Sequence, residues 1–200
     1  MRIRIPFDDE VIKKISRSVV LKLPEKSKDL YFDLIESIIS QQLSGRVAKT
    51  IFNRFLQLFN DQYPEPQRLI EMEDLKIRSA GLSNAKTKYV KALAEFALQN
   101  DLSIKYIDKM SDEEIISYLT RVKGIGKWTV EMVLIFSLHR PDIFPYDDLA
   151  IKKGMMELYK IDATGKELIA RMNQIGERWR PNRTLSTLLI WKYLDSKKGK

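Results

Sequence analysis

The sequence contains no cysteine and only one histidine, His139. Without cysteine, a disulfide, a thiolate-ligated zinc site and a cysteine-ligated iron–sulfur cluster are all excluded. A single histidine cannot build a histidine-rich metal centre. No apolar run approaches the roughly 18 residues that a membrane-spanning helix needs, and residues 1–6 lack the apolar core of a signal peptide. We therefore expect an intracellular protein with no membrane segment.

Positive charge is in excess along the chain. The 200 residues carry a formal net charge of +8, and the isoelectric point is near 9.5. Lysines and arginines bind polyanions by neutralising phosphates and releasing their counterions. A nucleic acid therefore fits as a partner, although a well-solvated surface with surplus lysine would have the same composition. The length suits one compact unit or two small lobes.

Helical patterns fill most of the sequence, and strand-like alternation is nearly absent. Serine, threonine and aspartate before apolar stretches predict helix N-caps. The predicted caps are Asp8 or Asp9, Ser27, Ser44, Ser83, Ser111, Asp147 or Asp148, and Thr164. The first predicted helix runs through about Val20, and the second has its apolar positions at helical spacing, at Tyr31, Leu34, Ile35, Ile38 and Ile39. Capping boxes are predicted where Ser111 precedes Glu114 and where Thr164 precedes Glu167. These signals together predict an all-α protein.

The stretch around Gly124-Ile125-Gly126 predicts a tight turn between two helices. The second helix, with Lys127 beside its start, is expected to run through Trp128 and Val130 to about Ser137. Backbone N–H groups at such a helix start, with the helix dipole behind them and a lysine beside them, can bind a phosphate. The turn is therefore a candidate nucleic-acid contact, although two glycines alone are a weak signal.

Asp148 is the candidate catalytic carboxylate, and its neighbour Asp147 is the rival. Either residue could simply cap the next helix by accepting backbone hydrogen bonds. A capping carboxylate is also favoured in its ionised form. An ionised carboxylate can stabilise an oxocarbenium-like transition state and orient or deprotonate an attacking water. Residue chemistry alone does not separate the two aspartates.

The hairpin glycines, Thr129, Pro145, Asp148 and Trp191 follow one another in an order and spacing that resemble a known family. The sequence resembles the helix-hairpin-helix (HhH-GPD) DNA glycosylases, and within them the alkylation-repair branch of 3-methyladenine DNA glycosylase II type. The likeness runs from about residue 29 to 193. It implies two helical lobes with a DNA cleft between them, one formed by about 1–30 plus 147–200 and the hairpin-bearing one by about 31–146.

The resemblance assigns the catalytic role to Asp148 and the damaged-base pocket to Trp128, Trp191 and Met132. Bifunctional members of the family carry a Schiff-base lysine two residues after the second hairpin glycine. Trp128 occupies that position here, and Lys127 falls one residue too early. The implied enzyme is a monofunctional glycosylase of base excision repair that flips and releases alkylated purines of the 3-methyladenine and 7-methylguanine type, without AP-lyase activity.

The resemblance also implies which residues contact double-stranded DNA. They are Gln42, Leu43, Ser44, Gly124, Gly126, Lys127, Thr129 and Arg183. Gln42 or Leu43 would fill the gap that the flipped nucleotide leaves. Main-chain carbonyls of Thr120, Val122 and Ile125 could hold a structural Na⁺ or K⁺ at the hairpin, and no organic cofactor or iron–sulfur cluster is expected.

Two alternatives stay open at this point. One is a glycosylase for another lesion, such as an oxidised or deaminated purine. The other is a helix-hairpin-helix module that binds DNA without catalysis. In each case the partner is DNA, the protein is expected to act as a monomer, and it would reside in the cytoplasm or nucleoid of a prokaryote or in the nucleus of a eukaryote.

Overall fold

The computed structural model describes residues 5–22 and 25–198. Within these ranges the chain forms twelve α-helices and no β-strand. The helices are α1 (Glu10–Ser16), α2 (Leu30–Ser40), α3 (Gly45–Leu56), α4 (Pro66–Glu71), α5 (Asp74–Ser79), α6 (Asn84–Gln99), α7 (Ile104–Ile107), α8 (Asp112–Leu119), α9 (Lys127–Phe136), α10 (Leu149–Tyr159), α11 (Gly165–Glu177) and α12 (Arg183–Lys198). The all-α prediction is confirmed. None of the helices in the described ranges has the length and apolar character of a bilayer-spanning segment.

The chain divides into two compact units. The first comprises residues 1–25 and 134–200, and the second comprises residues 26–133. The division falls inside α9, so that residues 134–146 join the C-terminal helices. From the sequence, the same residues were grouped with the hairpin.

The core of the second unit forms where α2 packs against α3 and α6, and α6 also packs against α4. The predicted apolar stripe of α2 is buried as expected, with Leu34, Ile35, Ile38 and Ile39 all inaccessible to solvent. Phe55 and Leu93 complete the buried centre from α3 and α6. Helical periodicity was sufficient to predict this packing face because the same side of α2 faces both neighbours.

The core of the first unit surrounds Trp179, whose side chain is fully buried. Its indole Nε1 donates to the Oδ2 atom of Asp9 at 3.0 Å, and the hydroxyl of Tyr159 donates to the same oxygen at 2.9 Å. The other oxygen of Asp9 accepts the backbone N–H of Ile12 at 3.0 Å and so caps α1. This buried carboxylate ties the N-terminal helix to the C-terminal part of the same unit.

Four of the seven predicted caps make side-chain cap bonds, namely Asp9, Ser83, Ser111 and Asp148. Ser27, Ser44 and Thr164 make no such bond. Ser111 and Glu114 form the predicted capping box, and Ser83 caps α6. However, α2 is capped by Asp29 instead of Ser27. Thr164 makes no side-chain cap bond, so no second capping box forms. The first helix also ends at Ser16, earlier than the predicted residue 20 or so.

Candidate active site

Asp148 is held by two hydrogen bonds to one oxygen of its carboxylate. Its Oδ1 atom accepts the backbone N–H of Ile151 at 2.8 Å, which makes Asp148 the N-cap of α10. The same oxygen accepts the indole Nε1–H of Trp191 at 3.0 Å. Trp191 lies 43 residues further along the chain, on α12. The structure thus brings together two of the site residues predicted from the sequence.

Asp147 has different surroundings from Asp148. Its side chain is 62% exposed and pairs with Lys152 at 3.2 Å. It makes neither the cap bond nor the indole bond of its neighbour. Of the two aspartates, Asp148 is therefore the one oriented by partly buried hydrogen bonds to a helix end and to an indole, as a catalytic carboxylate requires.

Trp191 is packed as well as hydrogen-bonded. Its ring stacks on Phe136, with ring centroids 5.7 Å apart and planes inclined by 19°. A groove of about 490 Å³ lies against this pair and is also lined by Leu188, Lys192 and Leu21. Phe136 was not assigned to the site from the sequence, because an aromatic residue on an apolar helix gives no signal that separates it from core packing.

The predicted hairpin is present, with α8 and α9 joined by the turn at residues 120–126. Gly124 has φ = +94°, and a Cβ atom added to it would lie 2.2 Å from Cγ of Tyr89. Tyr89 is on α6, so the turn rests directly on the ring of another helix. Gly126 is different, because it has ordinary φ and an added Cβ would meet no atom within 4 Å. Ile125 is buried between the two glycines.

The first two turns of α9 carry four of the predicted site residues. Trp128 is 45% exposed, and Met132 is half-buried. The Lys127 ammonium lies 3.6 Å from the buried Glu131 carboxylate, and the Lys127 side chain is 46% exposed. Thr129 is buried, and its hydroxyl accepts a hydrogen bond from Gln41 at 3.3 Å. The Thr129 hydroxyl is therefore engaged within the protein, and a DNA contact by Thr129 stays a prediction.

The loop between α2 and α3, residues 41–44, forms an exposed tip. Gln42, Leu43 and Ser44 are all exposed, and Gln42 has φ = +58°, a left-handed conformation that residues other than glycine rarely adopt. Ser44 begins α3 without a side-chain cap bond. We call residues 41–44 the insertion loop.

Arg183 is engaged inside its own unit. Its guanidinium donates to both carboxylate oxygens of Asp142, at 2.8 and 3.0 Å, and to the Asp142 carbonyl at 2.8 Å. The side chain is only 18% exposed. This geometry fixes the turn that precedes α12, whereas a phosphate contact by Arg183 stays a prediction.

The cation predicted at the hairpin would use the carbonyls of Thr120, Val122 and Ile125. The Val122 carbonyl accepts the N–H of Ile125 at 3.0 Å, and a carbonyl has a second lone pair for an ion. Thr120 is the C-cap of α8, where carbonyl groups end the helix. The cation at the hairpin stays a prediction.

The family model for HhH-GPD superfamily base excision DNA repair proteins matches residues 35–181. This range includes the insertion loop, the hairpin and Asp148. The chain belongs to the HhH-GPD superfamily.

Individual members of the superfamily are similar over nearly the whole chain. DNA-3-methyladenine glycosylase 1 of Schizosaccharomyces pombe is 36% identical over 92% of this chain and 82% of its own length. The crystal structure of that organism's 3-methyladenine DNA glycosylase Mag1 with abasic DNA has a TM-score of 0.80 at 35% identity, covering 92% of this chain and 91% of that one. The structure of the DNA-3-methyladenine glycosidase of Bacillus halodurans has a TM-score of 0.82 at 29% identity. The match covers 96% of this chain and 88% of that one.

Proposed function

We propose that this HhH-GPD protein is a monofunctional DNA glycosylase of base excision repair that hydrolyses the N-glycosidic bond of alkylated purines, of 3-methyladenine and 7-methylguanine type, in double-stranded DNA. The observation that carries the proposal is the bond between Trp191 and Asp148. It joins an aromatic surface suited to a damaged base to a carboxylate suited to the sugar. The names of the similar proteins support the same substrate class.

Asp148 would act on the sugar of the flipped nucleotide. As the glycosidic bond breaks, positive charge develops on the sugar, and a fixed carboxylate stabilises that charge without reorganising. The two donors on Oδ1 fix the orientation of the carboxylate. The same group orients or deprotonates the water that attacks the anomeric carbon.

The aromatic residues explain why alkylated purines fit. Methylation at a ring nitrogen gives the purine a formal positive charge, which an indole face attracts by stacking and cation–π interactions. Trp191, stacked on Phe136, provides such a face beside Asp148. The charge also makes the base a good leaving group, so that a dedicated general acid is less necessary.

The residues at the start of α9 explain why we expect no AP-lyase activity. An amine that forms a Schiff base must be placed to reach the sugar. Bifunctional enzymes carry this lysine at the position where the present chain has Trp128. Its half-exposed indole offers the DNA an aromatic surface and no nucleophile.

The contacts with DNA would come from the hairpin and the insertion loop. N–H groups at the start of α9 and the partly exposed Lys127 suit a phosphate. Gln42 and Leu43 are exposed at the end of a loop, as a side chain that enters the base stack must be. We also propose that the enzyme works inside the cell, where genomic DNA is found.

The proposal is tested by incubating the protein with duplex DNA treated with a methylating agent. Released methylpurines are measured by chromatography, and strand breaks are counted before and after hot alkali. We expect release of methylpurines and breaks only after alkali. Breaks without alkali would contradict the monofunctional assignment, and release from oxidised or deaminated duplexes alone would contradict the substrate class.

Asp148→Asn, with Asp147→Asn as its matched control, decides between catalysis and simple binding. Each variant removes one negative charge from adjacent positions. We expect Asp148→Asn to lower the single-turnover rate by about 100-fold or more while DNA affinity is kept or increased. Asp147→Asn should retain the wild-type rate. A wild-type protein that binds DNA but releases no base from any lesion would establish the non-catalytic alternative.

A further inference from the structure

We propose that Lys86 and Gln41 are positioning residues that hold the insertion loop in a fixed conformation against the hairpin before DNA binds. The proposal rests on the proposed function, because it concerns how the loop supports base flipping. Neither side chain needs to contact the damaged base. Each acts through the backbone it holds.

Lys86 connects α6 to the end of α2. Its ammonium donates to the carbonyls of Ile39 and Gln41, both at 2.7 Å. These carbonyls lie at the C-terminal end of α2, where the helix leaves acceptors without intrahelical partners and where the dipole favours a cation. Burial lowers the pKa of the Lys86 ammonium.

Gln41 connects the insertion loop to the hairpin. Its side-chain Nε2 donates to the carbonyl of Gly124 at 3.0 Å and to the hydroxyl of Thr129 at 3.3 Å. Gly124 is the glycine with positive φ that rests on Tyr89, and Thr129 is on the first turn of α9. The loop is therefore bonded to the element proposed to bind phosphate, more than 80 residues away in sequence.

Lys86 and Gln41, the two anchors of the insertion loop, together hold the backbone that directly precedes Gln42. Lys86 binds the carbonyl of Gln41, Gln41 binds the hairpin, and the next residue is Gln42 with φ = +58°. A left-handed residue of this kind is strained and persists only where its surroundings enforce it. The loop should therefore be presented preformed, so that inserting it into DNA requires little further ordering.

The test compares Lys86→Met with Lys88→Met. Both remove one positive charge from α6, and Lys88 is exposed. Lys86→Arg keeps two or more donors and serves as the rescue variant. Gln41→Glu is a second, isosteric variant that removes the donor to Gly124 while leaving the Lys86 contacts in place. Thermal unfolding is measured for each variant.

The readout is the single-turnover release of 7-methylguanine from two duplexes. In one the lesion faces cytosine, and in the other it faces an abasic analogue, which lowers the energy needed to flip the base. We expect Lys86→Met and Gln41→Glu to slow release from the paired lesion by about tenfold or more, with a much smaller effect on the unpaired lesion. Rates are measured at saturating enzyme, because Gln41→Glu also adds a negative charge beside the DNA and should weaken binding, whereas Lys86→Met should change the affinity little. Lys86→Arg should recover most of the rate.

Three results would overturn the inference. Equal losses on both duplexes would indicate general damage to the enzyme. Equal losses in Lys86→Met and Lys88→Met, or a loss confined to DNA affinity, would indicate that Lys86 only contributes charge. Wild-type rates in both Lys86→Met and Gln41→Glu would show that the anchors do not matter.

Hydrogen exchange without DNA tests the anchors independently of catalysis. The N–H of Leu43 donates to the carbonyl of Ser40 at 3.2 Å, so its exchange reports the order of the loop. We expect faster exchange in Lys86→Met and Gln41→Glu, and wild-type exchange in Lys88→Met. If wild type releases no base, the proposed function fails, whereas unchanged exchange in the first two variants contradicts the positioning role itself.

Discussion

The contact between Gly124 and Tyr89 makes the hairpin sensitive to a single methyl group. In Gly124→Ala the new Cβ would lie 2.2 Å from Cγ of Tyr89 and 2.5 and 2.6 Å from its two Cδ atoms. These distances are far inside van der Waals contact, and overpacking of this kind costs about 1–3 kcal/mol. The backbone at φ = +94° adds about 1–2 kcal/mol for any residue with a Cβ.

The expected loss of unfolding free energy in Gly124→Ala is therefore about 2–5 kcal/mol. For a protein of this size that corresponds to a Tm lowered by about 5–20 °C. Gly126→Ala is the matched control, because its Cβ would meet no atom within 4 Å. We expect that control to unfold within about 1 kcal/mol of wild type. It should nevertheless bind DNA more weakly, since it adds bulk where the phosphate is proposed to lie.

Calorimetry or thermal unfolding followed by circular dichroism measures these differences. Introducing Gly124→Ala into Tyr89→Ala separates the two contributions, because the ring is then absent. In that background the change should cost only the backbone part, about 1–2 kcal/mol. If Gly124→Ala and Gly126→Ala have equal Tm values, the hairpin does not rest on Tyr89 as described.

Further predictions concern the carboxylates and Lys127. Asp148→Asn should fold like wild type because asparagine keeps an Oδ1 acceptor, whereas Asp148→Ala should lose about 2–4 kcal/mol by removing a cap and leaving the Trp191 N–H unpaired; equal Tm values would contradict this. Asp9→Ala should lower stability by about 3 kcal/mol or more because buried donors lose their acceptor, and chemical denaturation measures the loss. Burial raises the pKa of Tyr159 above its ordinary value of 10.0, so its contribution to the free energy of unfolding should be fully present below pH 10 and should fall as the pH rises above 10. Chemical denaturation at several alkaline pH values measures this fall, which should be smaller in Tyr159→Phe. Lys127→Met should reduce the slope of log affinity against log salt by about 1, and an unchanged slope would exclude a phosphate contact.

Much of the fold was predictable from sequence because its signals are local. The stripe along α2 predicted which side chains are buried, and Ser111 with Glu114 predicted where α8 begins. Two glycines around Ile125 predicted the hairpin. One error has a simple cause, since Ser27 and Asp29 are both good caps, and in the structure Asp29 is the one that accepts the backbone N–H of Phe32.

The site was predictable only in part. Resemblance favoured Asp148 over Asp147, but the residues themselves are chemically identical neighbours. The structure separates them, because one accepts hydrogen bonds from Ile151 and Trp191 and the other pairs with Lys152. Phe136, Gln41 and Lys86 carry no signal in sequence that connects them to Trp191 or to the insertion loop.

The sequence by itself determined the helices, the hairpin, the excess positive charge, the lack of cysteine ligands and the absence of a Schiff-base lysine two residues after Gly126. Each of these depends on residue identity or on spacing within a few positions. The tertiary structure alone decided that Trp191 bonds Asp148, that Tyr89 underlies Gly124 and that Lys86 holds the end of α2. Those contacts join residues tens of positions apart, so they exist only where packing of the helices brings the atoms within hydrogen-bonding or van der Waals distance.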